Sequence, residues 1–225
     1  MFAFLNINQT LFTFLGYEMS YLEFFGTVFN LWCVWLFTKN KIAAWPIGIL
    51  GIILYIFLFY QIQLYSDLFE QFYFLITSFY GWWMWTKVSK KMKGGQIKIS
   101  YSSLKGNLTS IVITLVGTVL LTVFMLHVHE IFPIYFPKPA SVPFLDAFTT
   151  IMSFVATILM AKKKVESWYF WILVDIIGIG LYYYKGVKFI ALEYLIFLGM
   201  AVMGFFNWKK EFQGYRNEKA KLTQK

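Results

Sequence analysis

The sequence predicts an all-α integral membrane protein with seven transmembrane helices in a 3+1+3 arrangement of two like-oriented repeats. Of its 225 residues, 59% are hydrophobic, 22% are aromatic and only 14% are charged. A soluble domain carries about a quarter charged residues. The apolar residues fall into runs close to the ~20 residues that a helix needs to cross the hydrocarbon layer. An internal repeat with an offset of 123 positions relates the two ends of the chain.

The predicted spans follow the apolar runs in order. Residues 1–20 lack the basic region and cleavage site of a signal peptide, and we expect an interfacial segment there. Residues 88–143 are predicted to hold a basic loop, the fourth span and an outer loop, and residues 211–225 a basic tail. The seven spans are Tyr21–Phe37, Trp45–Gln61, Asp67–Trp85, Leu108–Leu126, Phe144–Met160, Trp168–Tyr184 and Phe189–Trp208.

Basic residues predict the orientation of the chain. With the N-terminus outside, 17 of the 20 Lys and Arg residues face the cytoplasm, as the positive-inside rule requires. The net charge of +9 therefore needs no nucleic-acid partner. We expect the chain to lie in the lipid bilayer with its C-terminus inside. Several aromatic residues near span ends fit interfacial belts, namely Trp45, Trp85, Trp168 and Trp208.

The repeat defines two three-helix bundles, residues 21–87 and 144–210. When residues 20–87 are aligned with residues 143–210 without a gap, 19 of 68 positions are identical. Each bundle has an odd number of helices, so the additional fourth helix makes the two copies parallel, a pattern typical of transporters. The informative matches pair Lys39 with Lys162, Trp45 with Trp168, Glu70 with Glu193, Gly81 with Gly204 and Trp85 with Trp208.

One face of the sixth span carries the strongest site prediction. Asp175 lies in the middle of this apolar run, where a carboxyl group costs roughly 2.5–3.5 kcal/mol on insertion scales and so normally faces a bundle interior. The first copy has small or aliphatic residues at the positions equivalent to Trp171 and Asp175, which favours one asymmetric solute near the midplane. At the spacing i, i+3, i+7 and i+14, this face presents Trp168, Trp171, Asp175 and Tyr182.

Further residues complete the predicted cavity wall. Aromatic faces attract a cation, amides can pair with a carboxamide, and carboxylates with hydroxyls or positive charge. We therefore expect a flat small-molecule solute that can carry a positive charge. Two alternatives stay open, because the glutamates could instead lie at the outer headgroups and Trp168 could be an interfacial anchor. The added residues are Glu193 and Asn207 from the second copy and Glu70, Gln71, Thr77, Ser78, Tyr80 and Trp85 from the first.

Several functions are disfavoured by missing motifs. The sequence has no Gly-rich phosphate loop, GxSxG or HExxH, so we expect no ATP hydrolysis, no serine or zinc hydrolase chemistry and no cofactor. His127 and His129 are two apart on a helix and point in different directions, so no metal is expected. Two alternatives to transport remain, an intramembrane enzyme with Asp175 and Glu193 as acid and base, and an assembly protein.

The motifs resemble those of the PnuC family of bacterial nicotinamide riboside transporters. The W-x-x-W-x-x-x-D from Trp168 to Asp175 and the G-x-x-x-W endings at Gly81 and Gly204 carry the resemblance, which extends from Tyr21 to Lys210. It implies a layout similar to SWEET sugar transporters, a homotrimer in the inner membrane, and facilitated diffusion of nicotinamide riboside with trapping by a cytoplasmic kinase. It also implies a role for the W-x-x-W at the pocket or its gate. Close relatives carry thiamine or riboflavin, which the motifs do not exclude.

Overall fold

Helices make up most of the described chain. The computed structural model describes residues 5–14, 16–62, 65–87, 97–136, 139, 141–184 and 188–223. Within these residues a short hairpin precedes seven helices. In chain order the elements are β1 Thr10–Phe14, β2 Tyr17–Ser20, α1 Tyr21–Thr38, α2 Ala44–Gln61, α3 Tyr65–Thr86, α4 Leu104–Ile131, α5 Pro143–Ala161, α6 Glu166–Tyr184 and α7 Lys188–Thr223.

Each predicted span coincides with one of these helices. α4 begins and ends several residues beyond its predicted span, and α7 continues past Trp208 to Thr223. Among the described helices, α1, α2, α4, α5 and the part of α7 from Ile190 to Glu218 are long and apolar enough to cross a membrane. α3 and α6 are not in this set, because each mixes carboxyl groups with many Trp and Tyr residues, which lowers its mean hydropathy.

The hairpin is a departure from the all-α prediction within the described residues. β1 and β2 pair antiparallel, with Thr10 opposite Ser20. Ser20 and Glu23 form a capping box at the start of α1, which fixes where β2 ends and the helix begins. Gln61, the last residue of α2, donates to the carbonyl of Leu5 at 2.8 Å. The hairpin therefore lies against one end of the helix bundle.

Six helices close into a ring. α1, α2 and α3 pack in sequence order, as do α5, α6 and α7, and the two sets meet where α3 packs on α5 and α1 packs on α7. We call these two contacts the seams. α4 packs on α5, outside the ring. A ring with one seam on either side can enclose a solute and can open along the seams.

Two exchanged hydrogen bonds define one end of the ring. The indole of Trp85 in α3 donates to the carbonyl of Ala161, the last residue of α5, at 3.0 Å. The indole of Trp208 in α7 donates to the carbonyl of Phe37 near the end of α1 at 2.8 Å. We call this end the Trp end. The opposite end, where α1, α3, α5 and α7 begin, is the mouth end.

Buried tryptophans form a layer across the Trp end. Their exposed fractions are at most 2%, and edge-to-face contacts of 5.5–5.6 Å join them in pairs. Gly81 and Gly204 leave the space that the rings of Trp45 and Trp168 occupy. Assignment of these tryptophans to interfacial belts is therefore wrong, because packing inside the ring removes them from the membrane surface. The Trp layer consists of Trp45, Trp85, Trp168 and Trp208.

The turns that follow α1 and α5 have the same backbone structure. The amide of Lys41 donates to the carbonyl five positions earlier at 3.0 Å, and the amide of Lys164 does the same at 2.9 Å. Asn40 and Lys163, at equivalent repeat positions, both adopt a left-handed conformation, with φ of 53° and 51°. The Lys163 ammonium lies 4.2 Å from the ring centroid of Trp85, and burial lowers the pKa of this lysine to about 8.

Candidate functional site

A cavity of about 1550 Å³ is lined by all six helices of the ring and extends to α4, which contributes Leu121, Phe124, Met125 and Val128. At the mouth end it is bounded by first-turn residues such as Glu23 of α1 and Asp146 of α5. At its other end it stops at Trp45 and Trp168 of the Trp layer. Neither of these two indole N–H groups has an acceptor among the described residues. The cavity therefore reaches the mouth end and is closed toward the Trp end.

Carboxyl groups dominate the charged lining of the cavity. Three lie in the first turns of α1, α3 and α5 at the mouth end, and three lie farther from the mouth. No Lys, Arg or His lines the cavity among the residues that the structure describes. Such a wall repels anions and attracts cations. The six carboxyl residues are Glu23, Asp67, Glu70, Asp146, Asp175 and Glu193.

The α6 wall combines one carboxyl group with aromatic rings. Asp175 is only 3% exposed, and within the described part of the chain no side chain or amide donates a hydrogen bond to it. Trp171 and Tyr182 lie on the same wall, as the helical spacing predicts. Tyr182 stacks on Tyr194 of α7 with ring centroids 5.2 Å apart. Gly178 provides the space for the Tyr194 ring, which a methyl group at this position would overlap.

Both repeat-related glutamates line the cavity. Glu70 of α3 accepts a hydrogen bond from the Thr150 hydroxyl of α5. Glu193 of α7, 8% exposed, accepts one from the Tyr55 hydroxyl of α2 at 3.2 Å. The first bond crosses the α3–α5 seam, and the second lies beside the α1–α7 seam. The two glutamates thus lie on the cavity wall, each about one and a half turns from the start of its helix.

The remaining predicted residues separate into two groups. Gln71 and Ser78 of α3 are buried and line the cavity. Thr77 is buried but does not line the cavity, and its hydroxyl donates to carbonyls of its own helix. Tyr80, Trp85 and Asn207 lie farther along α3 and α7, at the Trp end, outside the cavity wall. There Trp85 belongs to the Trp layer, Tyr80 packs against it, and Asn207 donates to the carbonyl of Thr38 at 3.3 Å.

Comparison with known proteins gives this arrangement a family. The sequence model of a family described as "Nicotinamide mononucleotide transporter" matches residues 20–210, which extend from the start of α1 well into α7. The chain belongs to this family. The resemblance that the tryptophan and glycine motifs indicate is confirmed.

Individual relatives cover nearly the whole chain. The "Nicotinamide riboside transporter PnuC" of Escherichia coli K12 is 30% identical over 208 residues, covering 86% of this chain and 87% of the relative. The "Riboflavin/roseoflavin transporter RibM" of Streptomyces davaonensis is 23% identical, covering 90% and 91%. A crystal structure of the "Vitamin B3 transporter PnuC" matches with a TM-score of 0.67 at 24% identity, covering 86% of this chain and 82% of that one. That structure supports the fold.

Family membership makes this chain a multi-pass membrane transporter and not an enzyme. The alternative in which Asp175 and Glu193 act as acid and base is therefore set aside.

No group of three or more His, Cys, Asp or Glu side chains that could hold a metal occurs in the described ranges.

Sequence reasoning missed several polar residues of the cavity. Tyr55 lies in an apolar run of α2, where nothing distinguishes it from the aromatic residues around it. Tyr194 was overlooked in the same way. A signal existed for Thr27 and Thr150, which are identical polar residues at equivalent positions of the repeat and both line the cavity.

Proposed function

We propose that this protein moves nicotinamide riboside across the membrane by facilitated diffusion. The observation that carries the proposal is the chemistry of the cavity, which combines six carboxyl groups with many aromatic rings and, in its described lining, no basic side chain. Nicotinamide riboside is a flat pyridinium cation with a carboxamide and a hydroxyl-bearing ribose. A desolvated cation over an aromatic face gains about 2 kcal/mol, and nearby carboxylates add to that attraction.

The cavity favours the riboside over its mononucleotide. The mononucleotide adds a phosphate of about −1.5 to −2 charges. Proteins bind phosphate with Arg, Lys or free helix N-termini. Here the starts of α1, α3 and α5 at the mouth carry Glu23, Asp67 and Asp146 instead. The same repulsion supports trapping, since a product phosphorylated by a cytoplasmic kinase would be rejected by the cavity.

We assign solute binding to the predicted residues that line the cavity. Asp175 is the proposed partner of the pyridinium charge, because its buried carboxyl group receives no hydrogen bond from the described residues. Gln71 of α3 is buried, lines the cavity and has an amide that can pair with the carboxamide. The proposed set is Glu70, Gln71, Ser78, Trp168, Trp171, Asp175, Tyr182 and Glu193.

We propose that α1–α3 and α5–α7 are two like-oriented copies joined by α4, a 3+1+3 layout similar to that of SWEET transporters. The matching turns after α1 and α5 support this proposal, since their hydrogen bonds and left-handed residues coincide. The exchanged bonds of Trp85 and Trp208 support it too, because each copy donates an indole to the first helix of the other.

The distribution of lysines supports an inner-membrane location with the mouth end outside. Lys39, Lys41 and Lys162–Lys164 lie in the turns at the Trp end, which would face the cytoplasm. On this proposal the structure is open outward, and release inside requires the Trp layer to part at the seams.

We further propose a homotrimer, in which the exposed apolar residues of α4, such as Leu115 and Val119, are available for contacts with lipid or neighbouring subunits.

The proposed substrate is tested by calorimetric binding in detergent. The panel contains nicotinamide riboside, nicotinamide, nicotinamide mononucleotide, thiamine and riboflavin, the last because of the RibM relative. We expect the riboside to bind most tightly and the mononucleotide at least ten-fold more weakly. Equal affinity for riboside and mononucleotide, or preference for another vitamin, would refute the substrate. Uptake into vesicles should saturate without ATP or an ion gradient.

Asp175→Asn tests the site. Loss of a charge-assisted contact is worth about 1.5–3 kcal/mol, so we expect the Kd for the riboside to rise at least ten-fold with little change in thermal stability. Glu130→Gln is the control, since it removes an exposed carboxyl group at the end of α4. Wild-type affinity of Asp175→Asn would remove this residue from the site.

A further inference from the structure

The two cavity glutamates form different hydrogen bonds to the opposite half of the ring. Glu70 and Glu193 are equivalent in the repeat, and so are Thr150 and Thr27. Across the α3–α5 seam, the Thr150 hydroxyl donates directly to Glu70. Beside the α1–α7 seam, the Tyr55 hydroxyl lies between Thr27 and Glu193. One glutamate is therefore bonded directly and the other through a tyrosine.

The hydroxyl groups of Thr27 and Tyr55 and the Glu193 carboxyl group form a hydrogen-bonded relay, in which the donor of each bond can be assigned. The Tyr55 hydroxyl lies 3.2 Å and 3.5 Å from the two carboxyl oxygens of Glu193 and 3.0 Å from the hydroxyl oxygen of Thr27. A phenol has one proton. When Glu193 is ionised, Tyr55 donates this proton to it, and Thr27 then donates to Tyr55. A carboxylate has about four acceptor positions, so Glu193 is held in place while positions remain for a solute.

Space for this tyrosine is built into the neighbouring helix. Gly26 of α1 faces the Tyr55 ring so closely that a methyl group at position 26 would overlap it. In the second copy the position equivalent to Tyr55 is Gly178, and the ring of Tyr194 fills the space there. The hydroxyl relay therefore exists in one half of the cavity, which makes the wall asymmetric.

We infer that Tyr55 is a positioning residue for solute binding, which acts by holding the Glu193 carboxyl group on the cavity wall for a solute that carries hydroxyl groups. Ribose hydroxyls are donors of the kind that this carboxyl group accepts. The inference rests on the proposed function for the identity of the solute. It does not make Tyr55 itself a solute contact.

A double-mutant cycle with Tyr55→Phe and Glu193→Gln tests this inference by calorimetry. Tyr55→Phe keeps the ring and removes the hydroxyl. We expect it to raise the Kd for nicotinamide riboside about ten-fold and to leave thermal stability nearly unchanged. Because Tyr55 acts through Glu193, the double variant should bind no more weakly than Glu193→Gln alone. Tyr215→Phe is the matched control, since its hydroxyl also donates to a glutamate, Glu211, but lies outside the cavity lining, and it should bind like the wild type.

Gly26→Ala supplies a second variant, because it displaces the Tyr55 ring and keeps the hydroxyl. We expect the same loss of affinity as in Tyr55→Phe. Wild-type affinity of either variant, or losses that multiply in full in the double variant, would overturn the inference. The measurements are made in parallel with thiamine and riboflavin. If the wild type binds one of these vitamins and not the riboside, the proposed substrate is wrong. The affinities of the variants for the vitamin that does bind then still test the role of Tyr55.

Discussion

Gly204 supports the Trp layer through the space it leaves for Trp168. A methyl group at position 204 would lie 2.5 Å from Cη2 and Cζ2 of this indole, where ordinary contacts are about 3.5–4.0 Å. Trp168 is 1% exposed and packs edge-to-face on Trp208 at 5.5 Å, so the ring could move only toward the cavity, at the cost of this packing. Overpacking of this kind costs about 1–3 kcal/mol. Ala in place of Gly in a helix gains about 1 kcal/mol. We expect Gly204→Ala to lower stability by about 0–2 kcal/mol.

Gly199→Ala isolates the packing contribution. Gly199 lies on the same helix, and a methyl group there would meet nothing within 4 Å, so this variant gains helix propensity alone. Relative to it, Gly204→Ala should be less stable by about 1–3 kcal/mol. At about 2–4 °C per kcal/mol for a chain of this size, the two melting temperatures should differ by about 2–12 °C. The assay is thermal unfolding in detergent at one scan rate, since such unfolding is often irreversible. Equal melting temperatures would refute the packing argument.

Two further predictions concern Lys163 and Gly178. Burial lowers the pKa of Lys163 to about 8 from its ordinary 10.5, so the folded state loses this proton first, and stability should rise as the pH increases from about 8 to 10.5. Lys163→Asn should flatten that rise in melting temperature, and an unchanged pH profile would contradict the burial of the charge. Gly178→Ala places a methyl group 2.5 Å from Cε1 of Tyr194 and should weaken riboside binding at least ten-fold, as the cavity wall is displaced. Gly180→Ala, with nothing within 4 Å, should bind normally, and equal affinity of the two variants would contradict the prediction.

The helices and the α6 face were predictable because they depend on local order along the chain. A run of about 20 apolar residues must form its backbone hydrogen bonds within itself in lipid, so it becomes a helix. The spacing of Trp171, Asp175 and Tyr182 then decides which side chains share a face. The repeat was visible for the same reason, since polar identities at a constant offset need no knowledge of packing. The resemblance to the family depends on these features.

Contacts between distant helices were decided by the tertiary structure alone. Tyr55 and Glu193 are 138 positions apart, and no local pattern states that one donates to the other. Tryptophans near span ends fit the interfacial belt as well as the Trp layer, because the choice depends on whether a partner helix presents a glycine opposite the ring. Sequence by itself therefore determined which segments form the seven helices and which face of α6 is polar. Only packing between the two halves decided where the cavity ends and which side chains line it, because both depend on the space that one helix leaves for another.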